Sequence, residues 1–233
     1  MQKQIKGLLY FYTADIRHSL TVFWTILLAI LVVSLTFVYF LERLGDGFFT
    51  FSLTGPMYVY CAILGFITVK EAIPFSIKIG ATRKNIFISL GIFFFLLSFS
   101  MATVGSLLQE AIKGLNQLLN VDIFTFLHIS HFLSDVWYSR ILIDTSIMFF
   151  LLTFMLVVGL IFYRYGLLGG GTFLGILLVI FLVGITQDWF VNFFGEVFLN
   201  IDLVFFIQLF GIGVSLYFLS FLLLRRITIV KVR

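Results

Sequence analysis

Charge is what this 233-residue chain has least of. Charged residues make up 11% of it, under half of the roughly 25% usual in a soluble domain. With 61% hydrophobic residues and a mean hydropathy of +1.16, it has too little polar surface for a water-soluble globule. The same composition excludes a disordered tail, a coiled coil and a nucleic-acid binder. Cysteine is nearly absent: Cys61, inside an apolar run, can form neither an internal disulfide nor a zinc site by itself. No Gly-Lys dipeptide occurs, so there is no phosphate-binding P-loop. An HExxH zinc motif, a GxSxG nucleophile turn and the aspartate-rich motif of a membrane phosphatidyl transferase are also missing. The glycine cluster Gly166, Gly169, Gly170, Gly171 and Gly175 lacks the lysine and the preceding strand of a nucleotide loop. Lys3 and Lys6 precede no short apolar stretch with a small-residue cleavage site, so no removable signal peptide is expected.

What the chain does have is apolar length. A membrane-spanning helix needs about 20 mostly apolar residues, and six runs qualify: 20–41, 51–73, 85–107, 141–163, 167–186 and 203–224. Six spans of about 21 residues use about 126 residues, which leaves no room for a soluble catalytic domain. The sequence therefore predicts an all-α integral membrane protein, one transmembrane domain of six helices over residues 1–233. Basic residues set orientation. With the N-terminus inside, all of the 15 Lys and Arg except Arg43, Lys113 and Arg140 fall on the inner side. Among the acids only Asp15 and Glu71 are inner. Both termini are then cytoplasmic, in a multi-pass protein of the plasma membrane. No span carries a charge near its middle, since Asp144 lies one turn inside the fourth and Glu71 at the inner end of the second. Ion-coupled secondary transport is accordingly not expected.

Four segments outside the spans carry information. Before the first span (residues 1–19), Ile5, Leu8, Leu9, Tyr12 and Ile16 make one helical face, with Lys3, Lys6 and Arg17 available to lipid headgroups. This predicts a helix lying in the inner interface; the plainer alternative is a leader into the first span. In the inner loop 74–84, Pro74 ends the second span. A short helix over 75–79 is closed by Gly80, and Thr82 is a candidate N-cap for the third span. The result is a compact hairpin projecting Lys78, Arg83 and Lys84, or else an ordinary positive-inside loop. In the outer loop 108–140, Ile112, Leu115 and Leu119 suggest a short surface helix. His128, His131 and Asp135 would share a helical face there, but without a third strong ligand interfacial polar residues are the better reading than a metal site. In 187–202, Trp189, Phe190, Phe193, Phe194, Val197, Phe198 and Ile201 oppose Asn192, Glu196 and Asn200. That amphipathic outer helix lies on the surface or is re-entrant, because Asp188, Glu196 and Asp202 cost too much for a seventh span. Within the fifth span, Gly171 and Gly175 form a small-xxx-small pair suited to close helix packing.

Six spans with both ends inside, an interfacial helix, a helical loop after span two and an amphipathic outer piece between spans five and six resemble the permease subunits of ABC-2 type exporters. The closest local match is Pro74-Phe75-Ser76-Ile77-Lys78-Ile79-Gly80-Ala81-Thr82-Arg83-Lys84-Asn85-Ile86-Phe87. In the family, a glycine, a small residue, Ser or Thr and a basic pair lead into span three. The tail Leu224-Arg225-Arg226-Ile227-Thr228 resembles small permeases of low-GC Gram-positive bacteria. The resemblance implies a bacterial permease of which two copies, identical or paralogous, each dock one cytoplasmic ATPase that binds ATP and Mg; no cofactor sits in the chain itself, which is not an enzyme. It makes the loop a coupling helix. Glu71, Phe75, Lys78, Arg83 and Lys84 are then the coupling residues, Phe75 and Ile79 the apolar anchor and Gly80 the sharp turn. The resemblance also implies contact of the helix around Asp15 and Arg17 with the same ATPase. A dimer seam of span one against span five would use Gly171 and Gly175. The 32 Phe suit a hydrophobic or amphipathic cargo such as a peptide, lipid or drug, or simply face lipid. Two other classes stand beside this one: the substrate-capture subunit of an importer, and a non-transport membrane partner such as a sensor, immunity protein or assembly factor.

Overall fold

The computed structural model describes residues 2–42, 48–119, 123–133, 136–199 and 201–225. Outside them lie Arg43, Asp46, Asp122, the candidate ligand Asp135, Asn200 and the tail from Arg226 onward. The side chains of Phe193, Phe194, Val197 and Phe198 are likewise outside the described set. In chain order the elements are α1 (Gln2–Glu42), β1 (Phe49–Phe51), α2 (Thr54–Lys70), α3 (Ala72–Lys78), α4 (Arg83–Leu119), β2 (Phe124–Phe126), a 3₁₀ turn (Ile129–Phe132), α5 (Trp137–Thr186), α6 (Trp189–Leu199) and α7 (Leu203–Leu224). By length and composition, five helices among the described residues can cross a membrane: α1, α2 with α3, α4, α5 and α7.

Helix α5 is 50 residues long and breaks at Gly166, whose φ of 70° and ψ of −168° no helix contains. A left-handed φ is inexpensive only for glycine. The second arm folds back toward the first: a Cβ on Gly170 would strike the Phe162 ring, and Leu174 lines a cavity with Phe154 and Met155. In a straight helix residues 20 positions apart stand about 30 Å apart. The arms, 137–165 and 167–186, coincide with the fourth and fifth apolar runs.

The N-terminal segment departs from its sequence reading. No interfacial helix separates from the first span; α1 runs unbroken for 41 residues. The expected apolar face is the one that packs, with Leu8, Tyr12 and Ile16 buried, but it packs on protein. Phe11 stacks on Phe75 of α3 with ring centroids 4.4 Å apart, and Tyr12 meets Phe93 of α4 at 5.5 Å. Nothing between residues 13 and 20 is a helix breaker, and α3 and α4 offer this face more burial than a headgroup layer would.

Three boundaries also differ from expectation. The second apolar run starts as a strand: Phe49-Thr50-Phe51 pairs in parallel with the identical tripeptide Phe124-Thr125-Phe126. Aromatic and β-branched residues favour that conformation. Helix α2 ends at Lys70 rather than residue 73, because the Pro74 ring would clash with the carbonyl four residues back. Helix α4 continues past Leu107 to Leu119 and absorbs the short outer helix, whose Ile112 is buried on the same continuous face.

The tightest seam joins α2 to the first arm of α5. A Cβ on Gly65 would stand 3.1 Å from the backbone carbonyl carbon and Cα of Leu152 and closer still to its oxygen. On Gly159 it would stand 3.1 Å from the Phe66 carbonyl oxygen. Close helix approach therefore uses Gly65 and Gly159. At Gly171 and Gly175 an added Cβ meets nothing within 4 Å, so the small-xxx-small face is open within this chain.

Candidate functional site

The hairpin after α2 is the most constructed feature at its end of the bundle. Glu71, with φ −110° and ψ −63°, joins α2 to α3. Helix α3 closes with Gly80 at φ 81°. The Gly80 N–H donates to the Ile77 carbonyl at 3.0 Å and the Ala81 N–H to the Ser76 carbonyl at 3.0 Å. This paired bonding is the Schellman termination, which needs a left-handed residue where Gly80 stands. Thr82 Oγ1 accepts from the Asn85 N–H at 3.4 Å at the start of α4.

Side-chain ties fasten the hairpin and the start of α4 to α1 and α7. The Tyr12 hydroxyl and Ser76 Oγ are 3.1 Å apart. Gln4 Nε2 donates to the Gly80 carbonyl at 3.2 Å, and Asn85 Nδ2 donates to Gln4 Oε1. The Arg83 guanidinium donates to the carbonyl of Arg225, at the end of α7. Arg83 is therefore engaged inside the chain, where its charge also complements the negative end of α7. Tyr217 of α7 donates to the Phe87 carbonyl and stacks on the Phe87 ring at 4.5 Å.

What remains outward is a small amphipathic tip. Phe75 is 44% and Ile79 56% exposed, and Lys78, Gly80, Lys84 and Glu71 are exposed beside them. The structure thus brings Phe75, Lys78, Ile79, Gly80 and Lys84 onto one hairpin. Asp15 and Glu71 instead line a cavity of about 180 Å³ between α1, α2 and α4, together with Ser19 and Thr68. Arg17 lies on the other side of α1, against the middle of α4.

A second polar cluster is buried at the opposite, ribbon end. Asp144 Oδ1 accepts from the Tyr58 hydroxyl at 2.6 Å and lies 3.1 Å from His128 Nε2. The Ser130 N–H donates to His128 Nδ1 at 2.9 Å. That acceptor role places the ring proton on Nε2, which donates to Asp144. Asp144 Oδ2 is buried with no hydrogen-bond partner among the described residues. Arg140, one turn earlier on α5, pairs with Glu110 of α4 at 2.7 Å. The His131 Nε2 atom stands 2.7 Å from the Phe126 carbonyl oxygen, so the two histidines point to different partners. Among the described residues no group of three or more His, Cys, Asp or Glu is placed to hold a metal. The cluster fastens the ribbon and 3₁₀ turn to α2 and α5. Sequence reading picked out Asp144 and His128 separately and missed Tyr58, because no periodicity links residues 86 positions apart. The repeated Phe-Thr-Phe was the usable signal for this end of the molecule.

Both bonds to Asp144 end on Oδ1, so they need an acceptor and not a charge. Asp144→Asn is expected to keep stability within about 1 kcal/mol, since it preserves Oδ1 and replaces an unpartnered carboxylate oxygen. Asp144→Ala strands two buried donors and is expected to cost about 3 kcal/mol. Thermal unfolding in detergent checks the contrast; equal losses in the two variants would show that the charge itself is needed.

Comparison with known proteins returned no family model, no curated protein and no solved structure that matches the chain.

Proposed function

We propose that this chain is the membrane-spanning permease subunit of an ATP-driven exporter of the ABC-2 type, coupled to a separate cytoplasmic ATPase through α3. The observation that carries the reading is the hairpin. An exposed apolar and basic tip sits on a rigid turn; its base is tied by side chains to α1 and α7 and runs directly into α4. A partner that pushes the tip moves three long helices at once, which is what a coupling element requires.

Counting the two arms of α5 separately gives six crossings. The basic residues then place α3 and both termini in the cytoplasm. Phe75 and Ile79 supply the apolar anchor, Lys78 and Lys84 the electrostatic fit, and Gly80 the turn. Glu71 is the hinge into α2, and Arg83 holds the hairpin to α7. The open faces at Gly171 and Gly175 and along α1 accept a second copy or a paralogue. ATP and Mg are held by the ATPase. A path lined by these Phe-rich helices suits hydrophobic or amphipathic cargo.

Co-purification with the ATPase encoded beside it tests the reading. A stoichiometric, detergent-stable complex is expected. No complex with any candidate ATPase would favour the sensor or immunity reading and make the hairpin an ordinary positive-inside turn.

A further inference from the structure

His128 is held so that one protonation state fits. Its ring is buried, with 3% of the residue exposed, and both nitrogens are engaged. Nε2 stands 3.1 Å from Asp144 Oδ1, and Nδ1 takes the Ser130 N–H at 2.9 Å. An amide N–H can only donate, so Nδ1 offers its lone pair and the ring proton sits on Nε2. The Ser130 bond is also structural. It makes His128 the N-cap of the 3₁₀ turn Ile129–Phe132, which packs on α5 and leads from β2 toward it.

His131 supplies the contrast. Its Nε2 meets a carbonyl oxygen, that of Phe126, at 2.7 Å. A carbonyl oxygen can only accept, so this nitrogen carries a proton in the neutral and in the charged ring alike. Charging His131 leaves that bond in place. Charging His128 does not. Its second proton can enter only at Nδ1, where it would face the hydrogen of the Ser130 amide across 2.9 Å.

The surrounding groups decide which bond of His128 gives way. From α5, the Asp144 carboxylate favours a charged ring. Arg140, one turn earlier, opposes it, but is paired with Glu110 of α4 at 2.7 Å. From α2, the Tyr58 hydroxyl donates to the same Asp144 Oδ1 at 2.6 Å and holds it in position. The two Phe-Thr-Phe strands carry no titratable side chain. A charged ring therefore strengthens its bond to Asp144 and loses the one to Ser130.

We propose that His128 is an acid-operated clasp on the 3₁₀ turn. A proton taken from the medium onto Nδ1 displaces the Ser130 N–H and opens residues 129–132, while Nε2 keeps its hold on Asp144. Histidine is the side chain suited to such a change between about pH 8 and about pH 5. The clasp is independent of the transport reading, and the chain alone is enough to test it.

The full chain in lipid nanodiscs is followed by hydrogen–deuterium exchange of peptides covering 127–133, each rate divided by the intrinsic rate at that pH. From about pH 8 to about pH 5 the corrected rate is expected to rise at least about fivefold, the change in equilibrium constant that a lost N-cap brings. His131→Asn should keep the response. His128→Asn should abolish it, because asparagine also caps a turn and takes no proton. Asp144→Asn keeps the acceptor but withdraws the charge that favours the charged ring, so the response should begin at lower pH. A parent with equal corrected rates at both pH values would overturn the proposal, as would a response that persists in His128→Asn or vanishes in His131→Asn. An equal rise over 148–160 of α5 would be general loosening and would overturn it too. If His128→Asn leaves the turn open at both pH values, Asp144→Asn decides: an unmoved response overturns the clasp, and a response moved to lower pH upholds it.

Discussion

Gly65→Val is expected to cost this protein more stability than any single substitution on its surface. The added side chain would enter the backbone of Leu152, with the Leu152 carbonyl carbon and Cα 3.1 Å from the new Cβ and the oxygen nearer. A flexible side chain could rotate away, but a helix backbone can only move as a unit. Overpacking a tight core costs about 1–3 kcal/mol, and a backbone obstacle puts this position at or above the upper end. For a chain of this size about 3 kcal/mol lowers the unfolding midpoint by roughly 6–12 °C, which thermal unfolding in detergent would read directly. Gly171→Val is the control. Its Cβ meets nothing within 4 Å, so the isolated chain should unfold at the parent's temperature. If Gly171→Val instead weakens self-association measured by cross-linking, that face is where a second copy packs. A parent-like midpoint for Gly65→Val would mean that α2 and the first arm of α5 separate more easily than their close approach implies.

The contrast between Gly65 and Gly171 also shows where sequence reasoning reached and where it stopped. Apolar length found the helices, since hydrocarbon admits little else. It found both arms of α5, and the turn residues around Gly80 fixed the hairpin in advance because a left-handed position has one cheap occupant. Local chemistry was legible wherever the cause is local. The small-xxx-small pair at Gly171 and Gly175 is equally local, yet a sequence spacing does not say which neighbour a face meets. Gly65 closes on Leu152 and Gly159 on Phe66, pairs that only the bundle brings together. The same limit hid the Tyr58–Asp144–His128 contact and the pairing of the two Phe-Thr-Phe tripeptides. The N-terminal segment differs in another way. An amphipathic face states that something apolar will cover it; here α3 and α4 cover part of it, on a helix continuous with the first span.

That packing sharpens the test of the coupling reading. Reversing Arg83 and Lys84 together would conflate two effects, because Arg83 also ties the hairpin to the end of α7. Phe75 is compromised too, since it stacks on Phe11. Ile79, Lys78 and Lys84 are outward, and among the described residues no tie to another helix depends on their side chains. On the proposed reading, Ile79→Asp removes the apolar anchor and places an acid in a desolvated contact. Losses of about 2 kcal/mol or more are usual for anchor residues, about 30-fold in affinity. Lys78→Glu with Lys84→Glu should slow association most and lose that effect at high salt. Neither change should move the unfolding midpoint by more than about 1–2 °C. Gly80→Leu differs in kind. At φ 81° a side chain adds about 1–2 kcal/mol of backbone strain, so it should loosen the hairpin while leaving the tip's chemistry intact. Binding of the ATPase should then persist with its hydrolysis no longer linked to export. The three variants separate docking from transmission: tip variants lose the complex, and the turn variant keeps the complex and loses the work. A tip variant that binds and exports at the parental rate would remove α3 from the coupling role. The Arg83 tie between the hairpin and α7 would then serve stability alone.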